Sequence, residues 1–333
     1  MIHINTNRLD SIFSQLKNKK ILVIGDIMID EYLRGTVSRL SPEAPVPIID
    51  IETETLRFGG AANVALNLKT LGCIPIIIGL IGKDSMADRF FEIMDENNLL
   101  KDGVIQDTNR PTTVKTRIIG DDQHIARVDR EKIAYVDGNL TEAIKDKIRQ
   151  HINTANGIIL QDYNKGVLSR EIIHYAISIA NEQDKISAVD PKFLNFMEYR
   201  GATVFKPNIK ETAQALACPI QSENDIKSAG IQLLEKLQAK NVLLTLGSKG
   251  MALFESDGSY SHLHTKTRNL ADVSGAGDTV ISTMIAAMVG GANAREAASL
   301  ANYAAGIVCE EVGIVPIEAE KLKSEILIRE DNA

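Results

Sequence analysis

Cysteine is scarce in this chain. Cys73, Cys218 and Cys309 are odd in number, far apart and set mostly among apolar neighbours, which excludes a disulfide framework and a clustered zinc site. They read as packing thiols kept reduced, so a cytoplasmic location is expected. Long apolar runs are missing as well. Residues 74–81 fall far short of a bilayer span, and the first residues, with Asp10 close behind Arg8, lack the apolar core of a secretory leader. Basic runs are also absent. The net charge of -7, from 37 basic and 44 acidic residues, argues against bulk nucleic-acid or membrane binding, so an anionic ligand must be held by a few local cations. Neither G-x-x-x-x-G-K-[ST] nor G-x-G-x-x-G after a strand occurs, so P-loop ATPases and Rossmann dehydrogenases lack their fingerprint here.

What is present is the material of one large α/β domain. The chain has 333 residues, 44% hydrophobic and 24% charged, and residues 1–333 are expected to form a single domain with a sizeable core. Short apolar runs at 21–25, 76–79, 157–161, 186–190, 204–206 and 242–246 end in polar residues or glycine, with helical patterns between most of them. This rhythm predicts a doubly wound, mostly parallel sheet flanked by helices, with ligands at the carboxyl ends of the strands. Those ends carry Gly25-Asp26, Asp162, Asp190, Asn208 and Gly247, although a strand-end carboxylate also caps helices. Two segments break the rhythm. Residues 33–57, with Pro42, Pro45 and Pro47, and residues 104–136 read as extended and are expected to form a small β-sheet lid. In the second, Thr113, Lys115 and Arg117 share one face, which puts two cations about 7 Å apart. Arg127 and Asp129 pair similarly one strand later. These cations are either a phosphate clamp on a closing flap or a solvated strand face.

The most pointed motif is Asp272-Val273-Ser274-Gly275-Ala276-Gly277-Asp278-Thr279. Val280, Ile281, Met284, Ile285, Ala287 and Met288 then recur at helical spacing until Gly290-Gly291, so Gly275, Ala276 and Gly277 sit at a helix N-terminus. Unpaired N–H groups and the helix dipole favour an anion there, and glycine lets a phosphate reach the backbone. Asp278 beside this nest could take a proton from an attacking hydroxyl, and the dipole is expected to keep it ionised at neutral pH. The plain alternative is a helix start with Asp278 as a dipole-stabilising acid and Asp272 or Ser274 as the cap. Three more motifs divide in the same way. Gly59-Gly60-Ala61-Ala62-Asn63 opens a helix running to about Leu71 and offers either close ligand approach, with Asn63 on a hydroxyl, or tight helix-to-sheet packing. Asn208 followed by Glu211 is a ligand pair or a capping box. Thr245-Leu246-Gly247-Ser248-Lys249-Gly250 is a nucleotide-contacting turn or a plain hairpin connection.

In this order the motifs resemble the ribokinase (PfkB-type) family of small-molecule kinases, over roughly residues 20–315. The resemblance implies a ribokinase-like α/β fold with ATP and Mg2+ as cofactors, and it leaves a monovalent cation such as K+ open. It makes Asp278 the base for the substrate hydroxyl and the backbone of Gly275, Ala276 and Gly277 the anion hole. Asn208 and Glu211 then help place magnesium, through water, and the ATP phosphates. Thr245, Gly247, Gly250 and Asn302 fall at the nucleotide, and Asp26, Asp30, Gly59, Gly60 and Asn63 line the sugar site. Ser274 stands where the family commonly has threonine, a conservative departure.

Within the family, residues 25–30, 38–47, 162–166 and 190–192, with Lys115-x-Arg117, Gln123-His124 and Arg127-x-Asp129, resemble one branch. That branch phosphorylates D-glycero-β-D-manno-heptose 7-phosphate at O1 on the route to ADP-heptose for lipopolysaccharide core. A substrate phosphate needs cations, which nominates Lys115, Arg117 and Arg127, with Lys165 and Lys192 as further candidates and Asp162 beside them. Many members of the branch are fused to a nucleotidylyltransferase carrying H-x-G-H. Here the histidines offer only His262-x-His264, so a separate adenylyltransferase is expected. The exposed edges of a lid sheet are expected to pair two copies into a homodimer. A kinase for ribose, fructose or a hexose phosphate remains open, as does a catalytically silent sugar-binding protein on the same fold.

Overall fold

The apolar runs become strands because adjacent residues feed opposite buried faces. In Lys20–Gly25 (β1), Ile21 and Val23 pack into one core cluster and Leu22 and Ile24 into the other, all fully buried. The computed structural model describes residues 5–265, 273–311 and 313–331. The further strands are Ile27–Leu40 (β2), Pro47–Gly60 (β3), Ile74–Gly82 (β4), Val104–Asp107 (β5), Val114–Gly120 (β6) and Gln123–Arg130 (β7). They continue with Gly157–Gln161 (β8), Ile186–Asp190 (β9), Val204–Phe205 (β10), Asn241–Thr245 (β11), Met251–Glu255 (β12) and Tyr260–Leu263 (β13). Among the described residues, nine strands form the main sheet in the order β13-β12-β11-β10-β9-β8-β1-β4-β5. It is parallel from β5 to β11 and closes with the antiparallel β12 and β13. Helices Ala61–Thr70, Ala276–Val289 and Ala294–Val308 cover one face, and Gly138–Ile152, Arg170–Glu182 and Glu223–Leu237 the other. This is the expected doubly wound arrangement. Ala276–Val289 is buried along almost its whole length, as an all-round apolar helix must be. No helix among the described residues is long and apolar enough to cross a membrane.

The second sheet, β3-β2-β6-β7, is the lid. Its β2–β3 hairpin turns through residues 41–46, where Pro42 and Pro45 suit a turn, and Pro47 opens β3. The β6–β7 hairpin turns at Asp121 and Asp122, both left-handed (φ 50 and 60), as a two-residue hairpin turn demands. The expected lid boundaries need two corrections. Val104–Asp107 belongs to the main sheet, paired in parallel with β4, because Val104 packs against one core cluster and Ile105 against the other. In the opposite direction the lid runs back to Ile27 and on to Gly60, so Asp30 and the Gly59-Gly60 pair lie on lid strands.

Candidate active site

The helix Ala276–Val289 begins at Gly275, which is left-handed (φ 79) and offers no side-chain cap. A Cβ there would lie 3.2 Å from Asn63 Nδ2 and from Ile314, so both conformation and space call for glycine. The N-cap position is thus a glycine and supplies no side chain of its own; Asp272, one of the two caps the plain alternative names, lies outside the described residues. Asp278, in the first turn, is 4% exposed. Its Oδ2 accepts from Asn63 Nδ2 at 2.7 Å, while its Oδ1 accepts from Gln161 Nε2 at 3.0 Å and the Tyr163 hydroxyl at 2.9 Å. Burial pushes its pKa up to about 7. Hydrogen bonds from Asn63 and Tyr163 and the charge of Lys206 pull it down, and Asp190 pushes it further up. Asp278 is therefore not held fully ionised at neutral pH as the dipole argument expected, because desolvation outweighs the dipole. A carboxylate poised near neutrality suits general-base work.

A cavity of about 700 Å³ opens from this helix start. Its wall brings together all the residues expected at the nucleotide: Asn208, Glu211, Thr245, Gly247, Gly250 and Asn302. The capping-box reading of the Asn208 motif holds, and the same two residues face the cavity. Asn208 and Glu211 form a reciprocal capping box on Ile209–Ala215, and Glu211 also pairs with Lys192. The turn at residues 247–249 is likewise a true hairpin connection from β11 to β12. Gly250 is left-handed there (φ 91), and a Cβ would meet Leu263 O at 2.0 Å. Asn302 Nδ2 donates to His264 O at 2.7 Å. The wall also holds a buried ion pair, Lys206 with Asp190 at 3.1 Å. Among the described residues a Cβ at Gly277 would meet only Lys206 Nζ at 3.5 Å and Asp190 Oδ2 at 3.8 Å, so this backbone is open to a ligand. An open glycine backbone, three lysines and a few oxygen donors fit a nucleotide whose divalent ion keeps water and phosphate ligands.

Toward the lid, three assignments change. Asp26 is 1% exposed and its carboxylate accepts backbone N–H groups of Tyr163 (2.8 Å), Lys165 (3.0 Å) and Val167 (3.1 Å). It anchors a loop and is not among the residues that line the cavity. Asp162 is likewise turned inward, accepting from the Tyr199 hydroxyl and Asn164 N–H, both at 2.7 Å. Burial and the charge of Asp26 raise its pKa to about 6. Asn63 donates to Asp278, so it orients that carboxylate before any sugar hydroxyl. The Gly59-Gly60 pair is required by packing. A Cβ on Gly59 would sit 2.3 Å from Asp30 Oδ2, and one on Gly60 (φ 57) 2.4 Å from Asp26 O.

On the inner lid face Asp30 pairs with Arg117, whose guanidinium lies 5.2 Å from the Tyr32 ring centroid, with Arg57 at 5.6 Å from the same centroid. Lys115 Nζ reaches Asp129 at 2.9 Å and Glu131 at 3.5 Å; Lys165 Nζ meets Glu131 at 2.7 Å; Arg127 pairs with Asp129. Lys115 is 16% exposed and Arg127 58%, so Lys115 is the more enclosed of the two. Gln161, Tyr163 and Lys206 escaped the sequence reading of the site. Their only signals were the strand-end position of Gln161 and the Asp162-Tyr163-Asn164-Lys165-Gly166 stretch.

A family model described as pfkB family carbohydrate kinase matches residues 18–320, and on that match the chain belongs to this family and is a sugar kinase. Relatives named Bifunctional protein HldE, from Desulfatibacillum aliphaticivorans and Rhodospirillum rubrum, are 39% and 37% identical over 316 and 321 residues. The alignments cover 95% and 96% of this chain but 64% and 65% of those relatives, so the chain spans just under two thirds of their length. Among solved structures, Arabidopsis thaliana ribokinase complexed with ribose and ATP matches with a TM-score of 0.73 at 20% identity, covering 93% of this chain and 99% of that one. Escherichia coli phosphofructokinase-2 in complex with fructose-6-phosphate gives 0.74 at 16% identity, covering 94% and 99%. The fold is therefore ribokinase-like, and family membership implies ATP and a divalent metal.

Proposed function

We propose that this sugar kinase transfers the γ-phosphoryl group of Mg-ATP to the anomeric O1 of D-glycero-β-D-manno-heptose 7-phosphate. The product is the 1,7-bisphosphate, an intermediate toward ADP-heptose for lipopolysaccharide core. The observation that carries the reading is the clustering of Lys115, Lys165 and Arg127 about Asp129 and Glu131, close along the lid from Asp30 and Arg117. A neutral sugar would not require so many cations, whereas a substrate phosphate could exchange places with the carboxylates that now pair with them. The motif pattern of the heptose branch supports the same choice.

In this reading Asp278, held by Asn63 and Gln161, removes the proton of the attacking hydroxyl while Asp30 orients the sugar. The first-turn N–H groups of Gly275, Ala276 and Gly277, with Lys206, stabilise charge on the transferred group. Asn208, Glu211 and Lys192 hold the phosphate end of the nucleotide, and Thr245, Gly247, Gly250 and Asn302 its remainder. A divalent ion, held with ATP beside Asn208 and Glu211 through water, would supply charge neutralisation to the nucleotide phosphates. Closure of the lid excludes water. The reading places the enzyme in the cytoplasm as a lid-paired homodimer, with a separate adenylyltransferase acting later.

A mass-spectrometric assay with Mg-ATP tests the substrate. D-glycero-D-manno-heptose 7-phosphate, fructose 6-phosphate, fructose and ribose are supplied in separate reactions. The heptose bisphosphate is expected to form far faster than any other product; faster turnover of another sugar refutes the heptose assignment and keeps the mechanism. Gly277→Ala tests the nest. The methyl fits the protein and improves helix propensity, so thermal stability should hold or rise by up to about 1 kcal/mol. It also fills the phosphate's approach, so kcat/KM for ATP should fall at least about tenfold. An unchanged kcat/KM would exclude close phosphate contact at this backbone.

A further inference from the structure

The loop after β8 is built more rigidly than a surface connection requires. The Asp26 carboxylate gathers three of its N–H groups, Asn164 (φ 55) and Gly166 (φ 99) bend it, and a Cβ on Gly166 would sit 2.0 Å from Ala134 O. What the loop holds out is Tyr163. The hydroxyl of Tyr163 lies 2.9 Å from Asp278 Oδ1, Lys192 Nζ stands 5.6 Å from its ring centroid, and the residue forms part of the nucleotide cavity wall. We propose that Tyr163 is a positioning residue for the base, its hydroxyl orienting the Asp278 carboxylate, favouring its proton-accepting form and leaving Oδ2 for the acceptor hydroxyl.

The accounting of lone pairs supports this. Oδ1 already receives two donors, Gln161 and Tyr163, whereas Oδ2 receives only Asn63, so the open acceptor site belongs to Oδ2. Gln161 Nε2 is shared with Asp190, which leaves Tyr163 as the donor on Oδ1 that acts on Asp278 alone. A hydrogen bond to the charged form favours that form. Burial and the neighbouring Asp278 keep the phenol protonated well above its ordinary range, so it remains a donor at every working pH. The other charged groups that face this pair are Asp190 and Lys206 from the main sheet, Lys192 after β9, and Asp30 from the lid.

The inference rests on Asp278 being the base. It is tested with Tyr163→Phe, which keeps the ring and removes only the hydroxyl. kcat/KM is measured from pH 5.5 to 9.5 with Mg-ATP and D-glycero-D-manno-heptose 7-phosphate, or with the fastest sugar of the panel. The acid limb is expected to move up by about one pH unit, so that activity falls about tenfold near pH 6 and the loss all but vanishes by pH 9. An equal loss at every pH, or no loss, overturns the proposal. Asp278→Asn assayed in parallel separates the two failures. Retained turnover there overturns the base itself, whereas lost turnover there with an unshifted Tyr163→Phe profile overturns only the role of Tyr163.

Discussion

Asp278→Asn is expected to fold, to bind both substrates and to lose turnover by at least about 10²-fold, the loss typical of removing a general base. The substitution keeps the shape of the side chain and one acceptor for the three donors that surround it, but it cannot take a proton. In the wild type, kcat/KM should rise through a limb near pH 7, where the buried carboxylate ionises. Near-normal turnover in the variant would remove Asp278 from the role. The same substitution has a stability signature. The folded pKa of about 7 stands above the unfolded value of 3.8, so between these values the native state holds more protons than the unfolded chain. Stability from this group therefore falls as pH rises from about 4 to 7 and stays low above that. Relative to Asp278→Asn, the wild type should lose up to on the order of 4 kcal/mol across the window, read from urea midpoints at several pH values. A difference that does not change with pH would show that burial does not strain the carboxylate.

The start of the helix Ala276–Val289 was legible because two independent local signals coincide there: apolar residues at helical spacing and a glycine turn, left-handed at Gly275. The strands of the main sheet were legible for the same reason, since residues buried on both faces leave an unbroken apolar run. Asp26 was read wrongly. A carboxylate at a strand end looks the same in sequence whether it meets a ligand or three N–H groups from a loop some 140 residues later. Val104–Asp107 was misplaced because four residues of β-pattern carry no information about which sheet receives them. Gln161 and Tyr163 were invisible as partners of Asp278, more than 110 residues apart in the chain. The ionisation of Asp278 was misjudged since the helix dipole can be read from the motif, whereas the depth of burial depends on everything packed around it.

The lid cations should separate in a way that spacing alone does not foresee. Lys115→Ala is expected to raise KM for a sugar phosphate by about tenfold to a hundredfold, the worth of a charge-assisted hydrogen bond, and to leave KM for the unphosphorylated heptose within about twofold. Among the described residues Lys115 forms ion pairs with Asp129 and Glu131, which stand where an anion could take their place. Arg117 shares its strand face but not its situation. It is the hydrogen-bond partner of Asp30, a carboxylate only 4% exposed whose pKa burial raises and Arg117 lowers. Arg117→Ala would leave that carboxylate buried and unpaired, which drives it toward the protonated form and loosens β2 against β6. Because Asp30 is proposed to hold the sugar itself, Arg117→Ala should raise KM for the phosphorylated and unphosphorylated sugars alike and lower thermal stability too. Equal effects of Lys115→Ala on both sugars would refute its role in binding the phosphate. A phosphate-selective effect of Arg117→Ala would instead place the anion between Arg117 and Lys115, nearer the Tyr32 ring than Glu131.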